Sequence, residues 1–265
     1  DVPQLVGKHR GDIVLINDDD LAYAKIRLDS ASRDVAIANL SQIEDPLARS
    51  LIWGSAWDST RDAEMPPREF VALVLNNVAH ETESTTVRTA LSQLALVLRS
   101  YIAPAHRQQA LIDSADALWM LAQAARAGSD TQFQLVKAFA TLASTPEHIS
   151  TLHSLRDSSV SLDGLAIDQD LDWELLAGLA VAGGISAPDI DASLALDNTS
   201  NGAQAAARAR SLLPGAKDKK AVFDQLVKSN DTPNAIVRSL TLGFDVANNP
   251  SVLDSLVGEY FNMLE

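Results

Sequence analysis

Cysteine is absent from all 265 residues. Its absence excludes disulfides, thiolate nucleophiles and zinc–thiolate centres, and it fits a reducing, cytoplasmic setting. Aromatic residues are scarce, at 5%, which argues against a sandwich or barrel and leaves an alanine- and leucine-rich composition that favours helices. No apolar run approaches the roughly 20 residues that span a bilayer, and no basic region leads into an apolar one at the start. The chain opens Asp1-Val2-Pro3-Gln4 without an initiator methionine, from which a piece of a longer polypeptide is expected. Basic charge is also short: 35 acidic against 21 basic residues give a formal charge of −14. Such a surface favours solubility and repels phosphate backbones and anionic lipid, so neither nucleic acid nor membrane is expected as a partner.

What remains is apolar periodicity. Ile13-Val14-Leu15-Ile16 is a short β-branched run, and residues 21–28 alternate Lys25 and Arg27 with apolar neighbours. The turn-forming Asn17-Asp18-Asp19-Asp20 lies between them, and together they predict two short strands in a hairpin over residues 1–30. After Ser32 the period becomes about 3.6. It is carried by Val35, Ile37, Leu40 and Ile43, then Leu47, Leu51, Ile52 and Trp57, then Phe70, Leu73, Val74 and Val78. Leu91, Leu94, Leu98 and Ile102 mark a fourth helix, and Leu111, Ala115, Leu118 and Leu121 a fifth. Similar runs cover 131–143, 146–156, 170–182, 188–196, 202–213, 217–228, 233–242 and 250–263.

Asp45-Pro46, Thr145-Pro146, Thr232-Pro233 and Asn249-Pro250 each place a capping side chain before a proline that suits the first helical turn. Gly128, Gly183-Gly184, Gly215 and Gly243 fall near the ends of periodic runs, where a left-handed residue is useful. About a dozen short helices with short connections form antiparallel neighbours. No strict repeat length emerges. The expected fold is therefore mainly α, an irregular α–α superhelix of the HEAT or armadillo kind, with a short β hairpin at the N-terminus. Residues 31–265 form the helical domain, and the polar stretch 157–172 separates possible sub-blocks 31–156 and 168–265.

The search for chemistry returns fragments. His80-Glu81 begins a His-Glu-x-x-His zinc motif, but Ser84 stands where the second histidine belongs. His148 and His153 are five apart, about 140° around a helix, which spoils chelation. Asp168-x-Asp170-x-Asp172 starts like a calcium loop, yet Trp173 and Leu179 stand where glycine and glutamate are required. No metal site, phosphate loop or nucleophile elbow is predicted. Trp53, Trp57 and Arg61 are spaced i, i+4, i+8, which aligns them on one helix face. A cation–π contact of Arg61 on Trp57 and an aromatic groove are one reading. Two core tryptophans with Arg61 reaching outward are the plainer one.

Certain stretches resemble a known family. Residues 17–29 (NDDDLAYAKIRLD), 43–58 (IEDPLARSLIWGSAWD) and 60–64 (TRDAE) are similar to the segment leading into, and opening, the C-terminal domain of family M1 zinc aminopeptidases, in the actinobacterial aminopeptidase N type. Residues 172–176 (DWELL), the basic-alanine stretch 203–210 and Leu242-Gly243-Phe244 follow in the order the family shows. The resemblance implies a metallopeptidase that removes N-terminal residues from peptides. Its zinc motif and substrate loop precede this region, so no catalytic residue carries over to any position of this chain. It implies instead a non-catalytic helical domain that helps enclose the active site and binds or size-selects peptide. Zinc is expected in the catalytic domain of the same polypeptide, with that domain and the peptide substrate as partners. Lys25, Arg27, Trp53, Trp57 and Arg61 are the candidate peptide or interdomain contacts. The family's chains continue beyond Gly243-Phe244 with further helices, so the last element is expected to be missing here. The competing reading is a free-standing helical-repeat scaffold for protein partners.

Overall fold

The computed structural model of the chain describes residues 3–246 and 250–263. Among the described residues the fold is all-α. A single turn at Pro3–Leu5 precedes α1 (Ser30–Asn39), α2 (Pro46–Arg61), α3 (Pro67–Asn77), α4 (Ser84–Leu96), α5 (Pro104–Ala124), α6 (Asp130–Leu142) and α7 (Pro146–Arg156). Then come α8 (Gln169–Ala182), α9 (Ala187–Leu196), α10 (Ser200–Leu212), α11 (Ala216–Lys228), α12 (Asn234–Phe244) and α13 (Asp254–Asn262). A turn of π-helix, Val97–Tyr101, extends α4.

The expected N-terminal hairpin does not form: residues 13–16 and 21–28 contain no strand. Two strands alone are marginal in water, and here each run finds other partners. The Val14 amide donates to Ser32 Oγ at 2.9 Å. Asn17 closes its own loop, its side chain accepting from the Ala22 amide at 2.8 Å and donating to the Ala22 carbonyl at 2.8 Å. Asn17, Asp19 and Asp20 all take left-handed backbone conformations. Beyond that loop the chain lies along α2, where Ser55 Oγ donates to the Ile26 carbonyl at 3.0 Å.

Capping follows the sequence closely. Asp45 accepts from the Leu47 amide ahead of Pro46, and Thr145 accepts from the His148 amide ahead of Pro146. Asp29, Asp168 and Thr199 cap α1, α8 and α10 in the same way, and each such cap contributes about 0.5–2 kcal/mol. Thr232 departs from the expectation: α12 starts one residue later, with Pro233 as its cap, and the Thr232 hydroxyl donates to Ser229 Oγ. Asn249 lies outside the described residues. Gly183 ends α8 at φ 77°, its amide and that of Gly184 closing back on Ala180 and Leu179. Gly243 serves differently. A Cβ there would sit 2.2 Å from Ser211 Oγ, so glycine lets α12 approach α10.

Contacts group the chain into two compact units, Asp1–Ala110 with Met120–Leu135, and Leu111–Trp119 with Val136–Glu265. In the first, α1 and α2 pack on α3 and α4 around Leu40, Ile52, Met65, Phe70, Leu73, Val74, Leu94 and Leu98. In the second, α10 is the hub, touching α8, α9, α11 and α12. Its buried residues are Gly202, Ala206, Ala207, Ala209, Ser211 and Leu212, all but the last small enough for close helix approach. Against it lie Trp173, Leu176, Ala180 and Ile190 on one side, and Val222 and Leu240 on the other. α8 is buried at every position from Leu171 to Val181 except Asp172 and Glu174, which pair with cations of neighbouring helices.

Candidate functional site

The first unit holds all five sequence-predicted contact residues, in two groups. Lys25 and Arg27 lie in the extended segment that runs along α2. Lys25 Nζ sits 2.7 Å from Asp62 Oδ2, while Arg27 bonds both Asp62 and Glu64. Both carboxylates stand on the turn that ends α2, with Ala63 between them at φ 60°. That turn is anchored by the Glu64 and Met65 amides, which donate to the Ser59 carbonyl, and by the buried Met65 side chain. The Lys25 ammonium, then Arg27, hold the Asp62 carboxyl below its ordinary range.

Trp53, Trp57 and Arg61 share a face of α2 but not an environment. Trp53 is in the core, 5% exposed, and its indole Nε1 donates to Glu81 Oε2 at 3.1 Å. Trp57 is half-buried, 5.6 Å from the Phe70 ring and stacked 6.2 Å from Tyr101. Arg61 is exposed with its guanidinium 5.9 Å from the Trp57 ring centre, so the cation–π contact is present. The two readings of this motif therefore divide between its tryptophans.

Glu81 answers the question posed by His80-Glu81. Its carboxylate is 6% exposed and faces Arg49, itself 7% exposed. Arg49 Nη2 donates to Oε1 at 2.8 Å and Nε to Oε2 at 3.1 Å. Trp53 Nε1 and the amides of Thr82 and Glu83 supply further donors. The rest of the Arg49 guanidinium is spent on the carbonyls of Ile43 and Glu44 and on Thr82 Oγ1. Burial pushes the Glu81 carboxyl up, but the bonds from Arg49, Trp53 and the two amides outweigh it and leave it below its usual range. With its lone pairs occupied, Glu81 is a structural counter-ion joining α2 to the turn before α4. His80 beside it is exposed. Among the described residues no group of three or more His, Asp or Glu side chains is placed to hold a metal ion.

The other polar motifs resolve into local architecture. Asp168 caps α8, and Asp172 takes a two-pronged bond from Arg156 at 2.7 and 2.8 Å. His148 accepts the Ser144 amide at Nδ1, so Nε2 carries the proton and donates to Asp116 Oδ1 at 2.9 Å.

A buried ion pair and a buried lysine escaped the sequence reading. The Arg49–Glu81 pair spans 32 positions and leaves no local signature. Lys219 did leave one: with Val222, Phe223 and Leu226 it falls at i, i+3, i+4, i+7, on the apolar stripe of α11. It is fully buried, and Nζ donates to the carbonyls of Ser211 (2.6 Å), Phe244 (2.9 Å), Val246 (3.1 Å) and Gly243 (3.3 Å). Burial lowers its pKa to about 8.

The fold is thus all-α, with ionisable clusters that fasten helices together. The chain belongs to the ERAP1-like C-terminal domain family, which it matches over residues 13–265. It is 38% identical over 264 residues to an Aminopeptidase N of Streptomyces lividans, an alignment that takes in 100% of this chain. The chain spans 31% of the length of that relative. Among the described residues no helix is long and apolar enough to cross a membrane.

Proposed function

We propose that this chain is the non-catalytic C-terminal domain of a zinc metallo-aminopeptidase, helping to enclose the active site and to bind or size-select peptide substrates. The observation that carries the reading is the 38% identity along the whole chain to an Aminopeptidase N, joined with membership of a C-terminal-domain family. On this reading zinc belongs to the catalytic domain of the same polypeptide, and the enzyme works in the cytoplasm. Residues 1–30 are the end or linker of a preceding β region, and 31–265 the helical domain, with sub-blocks 31–156 and 168–265. The exposed Leu21 and Tyr23, at 88% and 111%, suit a strand completed by the neighbouring domain. Lys25 and Arg27 then fix that junction, while Trp57 and Arg61 face peptide.

The test is release of p-nitroaniline from leucine p-nitroanilide. The purified 265-residue chain releases none above buffer. The full polypeptide carrying it releases p-nitroaniline and loses that activity to a zinc chelator. Turnover by the isolated chain, insensitive to chelator, would refute the reading.

A further inference from the structure

Between α2 and α4 runs a groove of about 210 Å³, lined by Ser50, Trp53 and Gly54 on one side and Thr85, Thr86, Thr89, Ala90 and Gln93 on the other. No charged residue lines it, in a chain whose formal charge is −14. The side chains of its five polar residues have no hydrogen-bond partner among the described residues. Elsewhere in this chain helical threonines turn inward: Thr60, Thr141, Thr151 and Thr241 each donate to the carbonyl four residues back. Ser50 and Thr89 occupy equivalent mid-helix positions and do not.

Gly54 is the second observation. Glycine is the least favourable residue in a helix interior apart from proline, and it normally stands there for close packing. A Cβ at Gly54 would meet nothing within 4 Å. Packing therefore does not require glycine here, and its effect is to keep the groove floor clear for another backbone to approach.

We propose that this groove is a subsite for the main chain of an extended peptide, an inference that rests on the peptide-binding role proposed above. Hydroxyl and carboxamide groups both donate and accept, which matches the alternating N–H and C=O of an extended strand and is indifferent to side-chain charge. From Thr86 to Gln93 the wall runs roughly 10 Å at the helical rise, room for about three extended residues at roughly 3.3 Å each. A sugar suits it less well, because Trp53, the aromatic that lines it, is only 5% exposed, and Trp57 is committed to Phe70, Tyr101 and Arg61.

The experiment is an NMR titration of the ¹⁵N-labelled chain with acetyl-(Ala-Gln)₅-amide, a peptide without charge at either end. Saturable shifts are expected at Gly54, Thr86, Thr89 and Gln93. A Cβ at Gly54 meets nothing within 4 Å, so Gly54→Leu projects into the groove from an open position and improves helix propensity; its Tm is expected unchanged or raised while affinity falls at least tenfold. A peptide N-methylated at alternate residues also binds at least tenfold more weakly. Shifts that saturate elsewhere and survive Gly54→Leu within twofold overturn the groove and leave the peptide-binding role standing. Absence of any saturable binding overturns both.

Discussion

Glu81→Gln is nearly isosteric, yet it removes the countercharge from a guanidinium that is 7% exposed. The Arg49 bonds to the carboxylate at 2.8 and 3.1 Å lose their ionic character, and the new amide N–H atoms face other donors: Arg49, Trp53 Nε1 or the Thr82 amide. Breaking a buried pair by removing one partner costs about 3–5 kcal/mol, a large share of the roughly 5–15 kcal/mol that holds a domain folded. With a urea slope of about 2 kcal/mol per molar, the midpoint of the first unit falls by about 1.5–2.5 M. Fluorine NMR of 5-fluorotryptophan-labelled protein follows this site directly, by resolving Trp53 from the other three of the four tryptophans. Arg10→Met supplies the contrast, because the Arg10–Asp29 pair is about half exposed and its loss costs under about 1 kcal/mol. Arg49→Met combined with Glu81→Gln leaves no orphan charge, so the double variant is more stable than the sum of the singles by at least about 2 kcal/mol. The folded Glu81 carboxyl ionises below its ordinary 4.5. Its stabilisation is therefore complete above that value and fades as pH falls through the lower, folded one. The gap between wild type and Glu81→Gln narrows in acid. A loss no larger than that of Arg10→Met, or simple additivity in the double variant, refutes the assignment of Glu81 as structural counter-ion.

Lys219→Met strips the donor from the carbonyls of Ser211, Phe244 and Val246 and is expected to cost about 2–4 kcal/mol. Because burial lowers the folded pKa from 10.5 to about 8, the unfolded chain binds more protons between those values, and wild-type stability gains on that of Lys219→Met as pH rises across this window; urea midpoints at pH 7, 9 and 10.5 measure it, and a flat difference counts against it. Ala63→Gly relieves a left-handed backbone at φ 60° and is expected to add about 0.5–1 kcal/mol, read as a rise in Tm of a few degrees. A fall in Tm would show that the turn is held by something other than strained alanine.

The helices were legible because their apolar spacing and their caps agree. Asp45-Pro46 and Thr145-Pro146 start helices where the side chain and the ring predict. The N-terminal strands were misread for a physical reason. Alternation announces two faces, but Lys25 and Arg27 find their partners on the turn after α2 instead of across a sheet. Gly243 was read as a backbone need, when the constraint comes from Ser211, 32 positions away in sequence. On the candidate surface, the stripe of Trp53, Trp57 and Arg61 was visible from its spacing. The groove beside it was not, since Gly54 on α2 and the hydroxyls of α4 are brought together only by packing. Lys219 was hidden by its type: a lysine on an apolar stripe reads as solvated until two helix ends close over it.

That closure has a kinetic meaning. The ammonium joins the last turn of α10 to the end of α12 through a residue on α11, so none of the three helices opens without exposing an unpaired buried group in the others. Local fraying of these three helices is thereby opposed. The amide hydrogens of α10, α11 and α12 are expected to exchange with solvent as one block, at the rate of whichever event frees Lys219.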